Sequence, residues 1–403
     1  MVPSPRRAVV PWGLLALAGV GSLVWLGLGG FALSDYDREA APSYLALAHG
    51  RFGEFLSLAP AYGGSLIMRA PFAMLPDLWG GGELAFFRAG ALPCVLAGGA
   101  LGITLAASLL ARGAGRGTVA TVVCLCAVNP ITLRALDIGH PEELLGAVLS
   151  VGAVLAAMRG RPTLAGILLG LAIANKAWAL LALGPVLLAL HADRRRALAI
   201  AGGIAALFLL PFLLSGSSSA HPGAAAGTGA IFQPWQVWWF FGSTGEVIRG
   251  SDGLAKEGYR MAPGWVSPLS HPLIVGVALP LSLLAWRRRS DPLLLLALLF
   301  VLRCALDPWN TDYYALPAIL TLVAWEATSF DRPPVLALAL TMATWGTWEW
   351  VVPAATADVE SLVYLAWSVP LVALLGWRLY APALPAVPTL SSGGRASVWS
   401  TTQ

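Results

Sequence analysis

A succession of long apolar runs, parted by short polar turns, constrains this chain more than any other feature. They fall at 9–31, 84–111, 117–133, 144–158, 162–175, 177–190, 197–214, 272–286, 292–306, 313–328, 335–351 and 361–379. An apolar helix of ~20 residues crosses a ~30 Å hydrocarbon core. With 57% hydrophobic residues and a mean hydropathy of +0.73, the composition points to membrane rather than water. Lipid offers no partner to a free N–H or C=O, and the runs lack the ~10-residue alternation of a membrane barrel, so they are read as helices. The expected fold is all-α, a polytopic helical membrane protein of about twelve transmembrane helices. The runs at 144–158, 162–175 and 177–190 are short, which predicts helices that begin or end at a cavity rather than at lipid.

Charge sets the expected orientation. With the N-terminus cytoplasmic, the inner turns hold fifteen of the 25 basic residues and only four of the 21 acids. The positive-inside rule then holds at every inner loop. The basic balance reflects topology, and no nucleic-acid partner is expected. The first run has the short basic head of a signal peptide, "MVPSPRR", without a small-x-small cleavage site, and is read as a retained anchor. Cys94, Cys124, Cys126 and Cys304 lie in or beside apolar runs, form no C-x-x-C pair and are read as packing residues.

The inner loops are minimal, as in "RGAGRG", "RGRP" and "HADRRR", so any chemistry is expected on the outer face of the cytoplasmic membrane. Two long outer connections, 34–83 and 215–271, stand there with short turns at 134–143, 307–312 and 352–360. Within the first, "APSYLALAHGRFGEFLSLAP" has near-helical spacing broken by Gly and Pro, which predicts short interfacial helices along the membrane surface. The second begins with "SGSSSAHPGAAAGTGA", expected to be mobile. It then turns aromatic, with Trp235, Trp238 and Trp239 read either as an interface anchor or as a ligand-stacking wall. The chain divides into a transmembrane unit over 1–380 and a Pro/Ser/Gly-rich cytoplasmic tail, 381–403, expected to be disordered.

Ionisable residues gather at the outer ends of the runs. Asp35 and Asp37 follow the first run, and a carboxylate there can serve as general base toward a hydroxyl. Ser34 and Asp37 match the S-x-x-D capping pattern, which leaves Asp35 the first candidate and Asp37 the second. In "LRALDIGHPEEL", Arg134 supplies a planar fork for phosphate oxygens and His140 a donor or proton shuttle, unless the stretch is a solvated loop. Pro141, Glu142 and Glu143 read as the first turn of a helix, with acids complementing its dipole. Lys176 in "LAIANKAWALLAL" is one of two lysines beside 23 arginines, set between two short runs. It either snorkels to the interface or, with a helix N-terminus, holds an anion. A third turn, "RCALDPWNTDYYALP", places Trp309 and Asp312 where aromatics and hydrogen-bonding groups suit a carbohydrate, or where an aromatic belt would lie. Glu142, Glu143, Trp178, Trp309 and Asp312 are the candidate substrate contacts. The five histidines are scattered, and no metal or cofactor is demanded.

An Asp after the first helix, a surface-lying first loop, about twelve spans and an outward lysine in a broken helix pair resemble the GT-C class of integral-membrane glycosyltransferases. More narrowly, residues 137–183, "DIGHPEELLGAVLSVGAVLAAMRGRPTLAGILLGLAIANKAWALLAL", are similar to the central block of glycosyltransferase family 87. That family recurs in a G-[HQ]-x-[EN] turn, here Gly139, His140 and Glu142, a "LAG(I/V)LLGLA" helix and a Lys before an apolar run. The resemblance covers about 1–330, which makes the transmembrane unit over 1–380 glycosyltransferase-like, and it implies a polyprenyl-phosphate sugar donor, with no nucleotide sugar. It also implies an inverting single displacement outside the cytoplasmic membrane, with Asp35 or Asp37 as the base. Lys176 would take the family's lysine position and face the donor phosphate, and on the chemistry of their side chains Arg134 and His140 are read as joining it as a phosphate clamp; the acceptor would be a lipid or glycan hydroxyl. Members of the family are mannosyltransferases, but Ala177 stands where a polar residue often follows the lysine, and other hexoses or pentoses stay open. The alternative reading is a secondary transporter or lipid flippase, whose ionisable groups lie near the bilayer midplane.

Overall fold

The computed structural model describes residues 5–215, 231–244, 248–249, 255–256 and 260–381. Helix α1 (Pro5–Leu28) leads into a π-helical turn at Tyr36–Ala40 and the short helices α2 (Ala41–Ala48), α3 (Phe52–Leu58) and α4 (Gly63–Ala73). After α5 (Glu83–Ala111) come α6 (Arg116–Ala127), α7 (Pro130–Ile138), α8 (Pro141–Met158) and α9 (Pro162–Asn175). A 3₁₀ turn at Ala177–Ala182 enters α10 (Leu183–Ala189), followed by α11 (Arg194–Ser215). The second half comprises α12 (Val266–Arg288), α13 (Pro292–Leu306), α14 (Leu316–Ser329), α15 (Val335–Gly346) and α16 (Ala357–Tyr380).

The chain is thus nearly all-α, with each of the twelve apolar runs on helix. Among the described residues six helices are long and apolar enough to cross a membrane: Glu83–Ala111, Arg116–Ile138, Pro141–Met158, Arg194–Ser215, Pro268–Arg288 and Ala357–Tyr380. The shorter apolar helices include α9 and α13, whose 15 residues rise about 22 Å. Such a helix is hydrophobic all round because it is enclosed by others. In α13 every residue from Leu293 to Val301 is buried, and in α14 every residue from Leu316 to Ala327. These two form the centre, against which α8 and α5 pack.

Small residues set the closest approaches. A Cβ on Gly166 would stand 2.6 Å from the Ala197 carbonyl oxygen and one on Gly170 2.7 Å from that of Ala201, so α9 meets α11 nearly backbone to backbone. This small-xxx-small geometry suits helices that have no hydrophobic drive to associate in lipid. At the basic turns, Arg112 bonds Asp331 at 2.8 Å and the Ala327 carbonyl, and the Asp291 side chain caps α13 through the Leu293 and Leu294 amides.

The structure refines three expectations. The first outer loop forms short helices, but α4 is no surface element: Gly63, Gly64, Ser65, Leu66, Arg69 and Ala73 are buried, and a Cβ on Gly64 would meet the Ala174 carbonyl at 2.2 Å. Of the two readings of 134–143, solvated loop or helix start, the structure has the helix start at Pro141, with Glu142 and Glu143 in its first turn. Asn129 accepts from the Ile131 amide and Pro130 takes the first helical position, which starts a new helix that carries Arg134 and Asp137 on its last turns. In the second outer loop Trp239 is fully buried with its Nε1 donating to Asp358, Trp235 is buried against Trp348, and Trp238 is half-buried. Residues 216–230, expected to be mobile, and 382–403, expected to be a disordered tail, lie outside the described residues.

Candidate active site

The site grows from one turn. α7 ends at Gly139, whose φ of +112° belongs to the left-handed region that favours glycine. Space makes the same demand, because a Cβ there would lie 2.5 Å from the Tyr36 Cβ and 2.6 Å from its amide nitrogen. The absent side chain lets the turn abut the segment that carries Asp35. Asp137 secures that segment: its backbone oxygen accepts from the Leu33 amide at 2.8 Å and its Oδ1 from the Ala32 amide at 3.0 Å.

His140 follows, with Pro141 starting α8. The imidazole is buried between two carboxylates: Nδ1 lies 2.6 Å from Glu142 Oε1 and Nε2 3.1 Å from Asp35 Oδ2. It stacks on Tyr313 at 4.8 Å and meets Tyr62 edge-on at 5.8 Å. Burial opposes the charged ring, but Glu142 and the hydrogen bonds from both carboxylates outweigh it and push the His140 pKa up to about 9. At neutral pH His140 is an imidazolium.

Behind it lies a buried ionic network. Lys176 occupies the extended link between α9 and the next turn, its Nζ 2.8 Å from Glu143 Oε1 and 3.3 Å from Glu142 Oε1, and 5.0 Å from the Tyr62 ring centre. Arg69 of α4 approaches Glu142 Oε2 at 3.5 Å, and Arg303 of α13 approaches Glu143 Oε1 at 3.7 Å. Asn175 donates to the Glu142 carbonyl at 2.8 Å, while Trp178 Nε1 donates to Glu143 at 3.3 Å and its ring packs on Phe300. Both glutamates are fully buried, which is tolerable only because each has cationic partners.

The structure therefore joins Asp35, His140, Glu142, Glu143, Lys176 and Trp178 through direct contacts. Asp37 is exposed, and its side chain makes no hydrogen bond among those described. Asp35 is the N-cap residue of the π-helical turn without a side-chain capping bond. Its Oδ1 has no partner among the described residues and the side chain is 36% exposed. Arg134 and Asp312 form a separate pair at 2.7 Å, with Arg134 also reaching Asp137 at 3.1 Å. Trp309 is half-buried, its backbone amide held by Asp307. Arg69 and Tyr62 were not singled out in the sequence. The available signal was a lone cation, Arg69, within the apolar stretch "SLIMRAPF". Among the described residues no three His, Cys, Asp or Glu side chains are grouped to hold a metal ion.

Beside this network, the 29–31 segment, α7 and the π-helical turn Thr347–Val351 enclose a cleft of about 630 Å³, into which Arg134, Asp137 and Asp312 project.

No curated protein matches the chain. The model of glycosyltransferase family 87 matches residues 64–308, a stretch that begins after Asp35 and contains Arg69, Gly139 to Glu143, Lys176 and Arg303. With more than half of its length matched, the chain belongs to glycosyltransferase family 87.

Proposed function

We propose that this glycosyltransferase moves a sugar, mannose or another hexose or pentose, from a polyprenyl-phosphate donor to a hydroxyl of a lipid or glycan. The reaction takes place at the outer face of the cytoplasmic membrane. The observation that carries the reading is the contact chain Asp35–His140–Glu142–Lys176, which ties a half-exposed carboxylate to a cation over three links. In a single inverting displacement the acceptor oxygen attacks the anomeric carbon as its proton passes to Asp35 Oδ1. The bond from that carbon to the phosphate oxygen breaks and the polyprenyl phosphate leaves with the electron pair. His140 acts here as a positioning residue, since both of its nitrogens face carboxylates and it has no donor left for phosphate. Lys176 has three N–H donors and two carboxylate partners, which leaves one N–H for a phosphate oxygen.

The test is transfer by purified protein from labelled polyprenyl-phosphate mannose to membrane lipids. Asp35→Asn is expected to lower the rate by roughly 10²- to 10⁴-fold, the usual worth of a general base, while Asp37→Asn keeps most of it. A dead Asp37→Asn beside an active Asp35→Asn overturns the base assignment. A wild-type protein that consumes no phospho-sugar but uses a nucleotide sugar overturns the donor.

A further inference from the structure

We infer that the cleft beside the ionic network is the acceptor subsite, and that it takes an uncharged saccharide; this rests on the glycosyltransferase reading above. The cleft is distinct from the buried network: its lining includes Arg134, Asp137, Asp312, Glu349, Trp345 and Trp348, and of the Asp35–His140–Lys176 set it includes none. Its volume of about 630 Å³ lies in the range of small-ligand pockets.

The lining has the chemistry of sugar recognition. Trp345 and Trp348 are half-buried, so each ring keeps a surface on which the C–H face of a pyranose can rest. Carboxylates accept from sugar hydroxyls, and the half-exposed Arg134 donates to them. Asp312 and Asp137 fix that guanidinium at 2.7 and 3.1 Å, so it is oriented before any ligand arrives. Gly29 and Gly30 add backbone without side chains to one wall.

The cleft also shares its frame with the proposed base. Asp137 both lines it and holds the Ala32 and Leu33 amides, just before Asp35. Asp312 lines it, and the next residue, Tyr313, stacks on His140. A saccharide seated on the tryptophans is thereby held by the same two segments that hold Asp35 and its histidine.

Charge narrows the ligand. Three carboxylates, Asp137, Asp312 and Glu349, line the cleft with one guanidinium, Arg134, so acidic groups outnumber basic ones there. A phosphorylated or uronic acceptor meets net repulsion there, whereas a neutral glycoside does not.

The probes are octyl α-D-mannoside and its 6-phosphate, titrated calorimetrically into the full-length protein and then used as acceptors with polyprenyl-phosphate mannose. The neutral glycoside is expected to bind saturably and the 6-phosphate at least tenfold more weakly. Trp348→Ala should weaken binding and raise the acceptor KM roughly five- to tenfold, with donor KM and kcat within about twofold. Because Trp348 also packs on Trp235 and Tyr364, exposed Glu349 supplies a second variant: Glu349→Gln should narrow the gap between the two probes without altering the fold. No saturable binding of the neutral glycoside, equal binding of both probes, or unchanged affinity in Trp348→Ala overturns the inference. Binding as expected without any sugar transfer keeps the saccharide site and overturns the donor reading instead.

Discussion

At the scale of single residues, His140 carries the most information. Its folded-state pKa of about 9 lies above the ~6.5 of an unperturbed imidazole, so its ion pairs stabilise the fold fully below about pH 6.5. That contribution is lost as pH rises through about 9 and the ring is deprotonated. The unfolding midpoint of the wild type should therefore fall between about pH 6.5 and 9.5 more steeply than that of His140→Gln, followed by thermal unfolding in detergent. Parallel curves would show that His140 is not the titrating group. The sequence marked His140, Glu142 and Lys176 because ionisable groups are costly beside apolar helices. It did not say that both imidazole nitrogens end on carboxylates, Glu142 and Asp35. Asp35 and Asp37 look alike in "LSDYDREA"; the π-helical turn beginning at Tyr36 decides that one faces His140 and the other solvent.

At the scale of elements, the stretch "LAGILLGLA" is a packing device before it is a family motif. Gly166 and Gly170 let α9 press on α11, and Lys176 follows directly on the end of α9, so the contact fixes the depth at which the ammonium sits. Gly170→Leu is expected to cost about 1–3 kcal/mol by overpacking and to reduce transfer with it. Gly203→Leu on α11, whose Cβ would meet nothing within 4 Å, should stay within about 0.5 kcal/mol. Equal midpoints for the two variants, measured by unfolding in detergent, would refute the contact. The helix ends at 129–141 were legible in their parts, Asn129-Pro130 as a start and Gly139-His140-Pro141 as a stop and restart. The charges in between left loop and helix both open, and the short helix α7 tolerates Arg134 and Asp137 because they pair with each other one turn apart.

For the whole molecule, the arginine-rich turns and the acid-rich turns lie at alternate helix ends, and this makes orientation testable. A reporter fused at Gly160, in the turn between α8 and α9, is expected on the cytoplasmic side, and one at Gly50, between α2 and α3, on the outer side. Both reporters on one side, or the reverse arrangement, would refute the orientation on which the proposed outward reaction depends. The sequence by itself determined that the chain is helical and membrane-borne, since hydropathy is a local property and a backbone in lipid must bond to itself. It also located the ionisable groups along the helices. Only the tertiary structure decided which of them meet: that Arg69 of the first loop and Arg303 of α13 close around two neighbouring glutamates, and that α4 fills a place in the bundle rather than resting on its surface. Ion pairs between residues far apart in the chain depend on which helices stand side by side, and that choice is made by the fit of buried surfaces, which no stretch of sequence records alone.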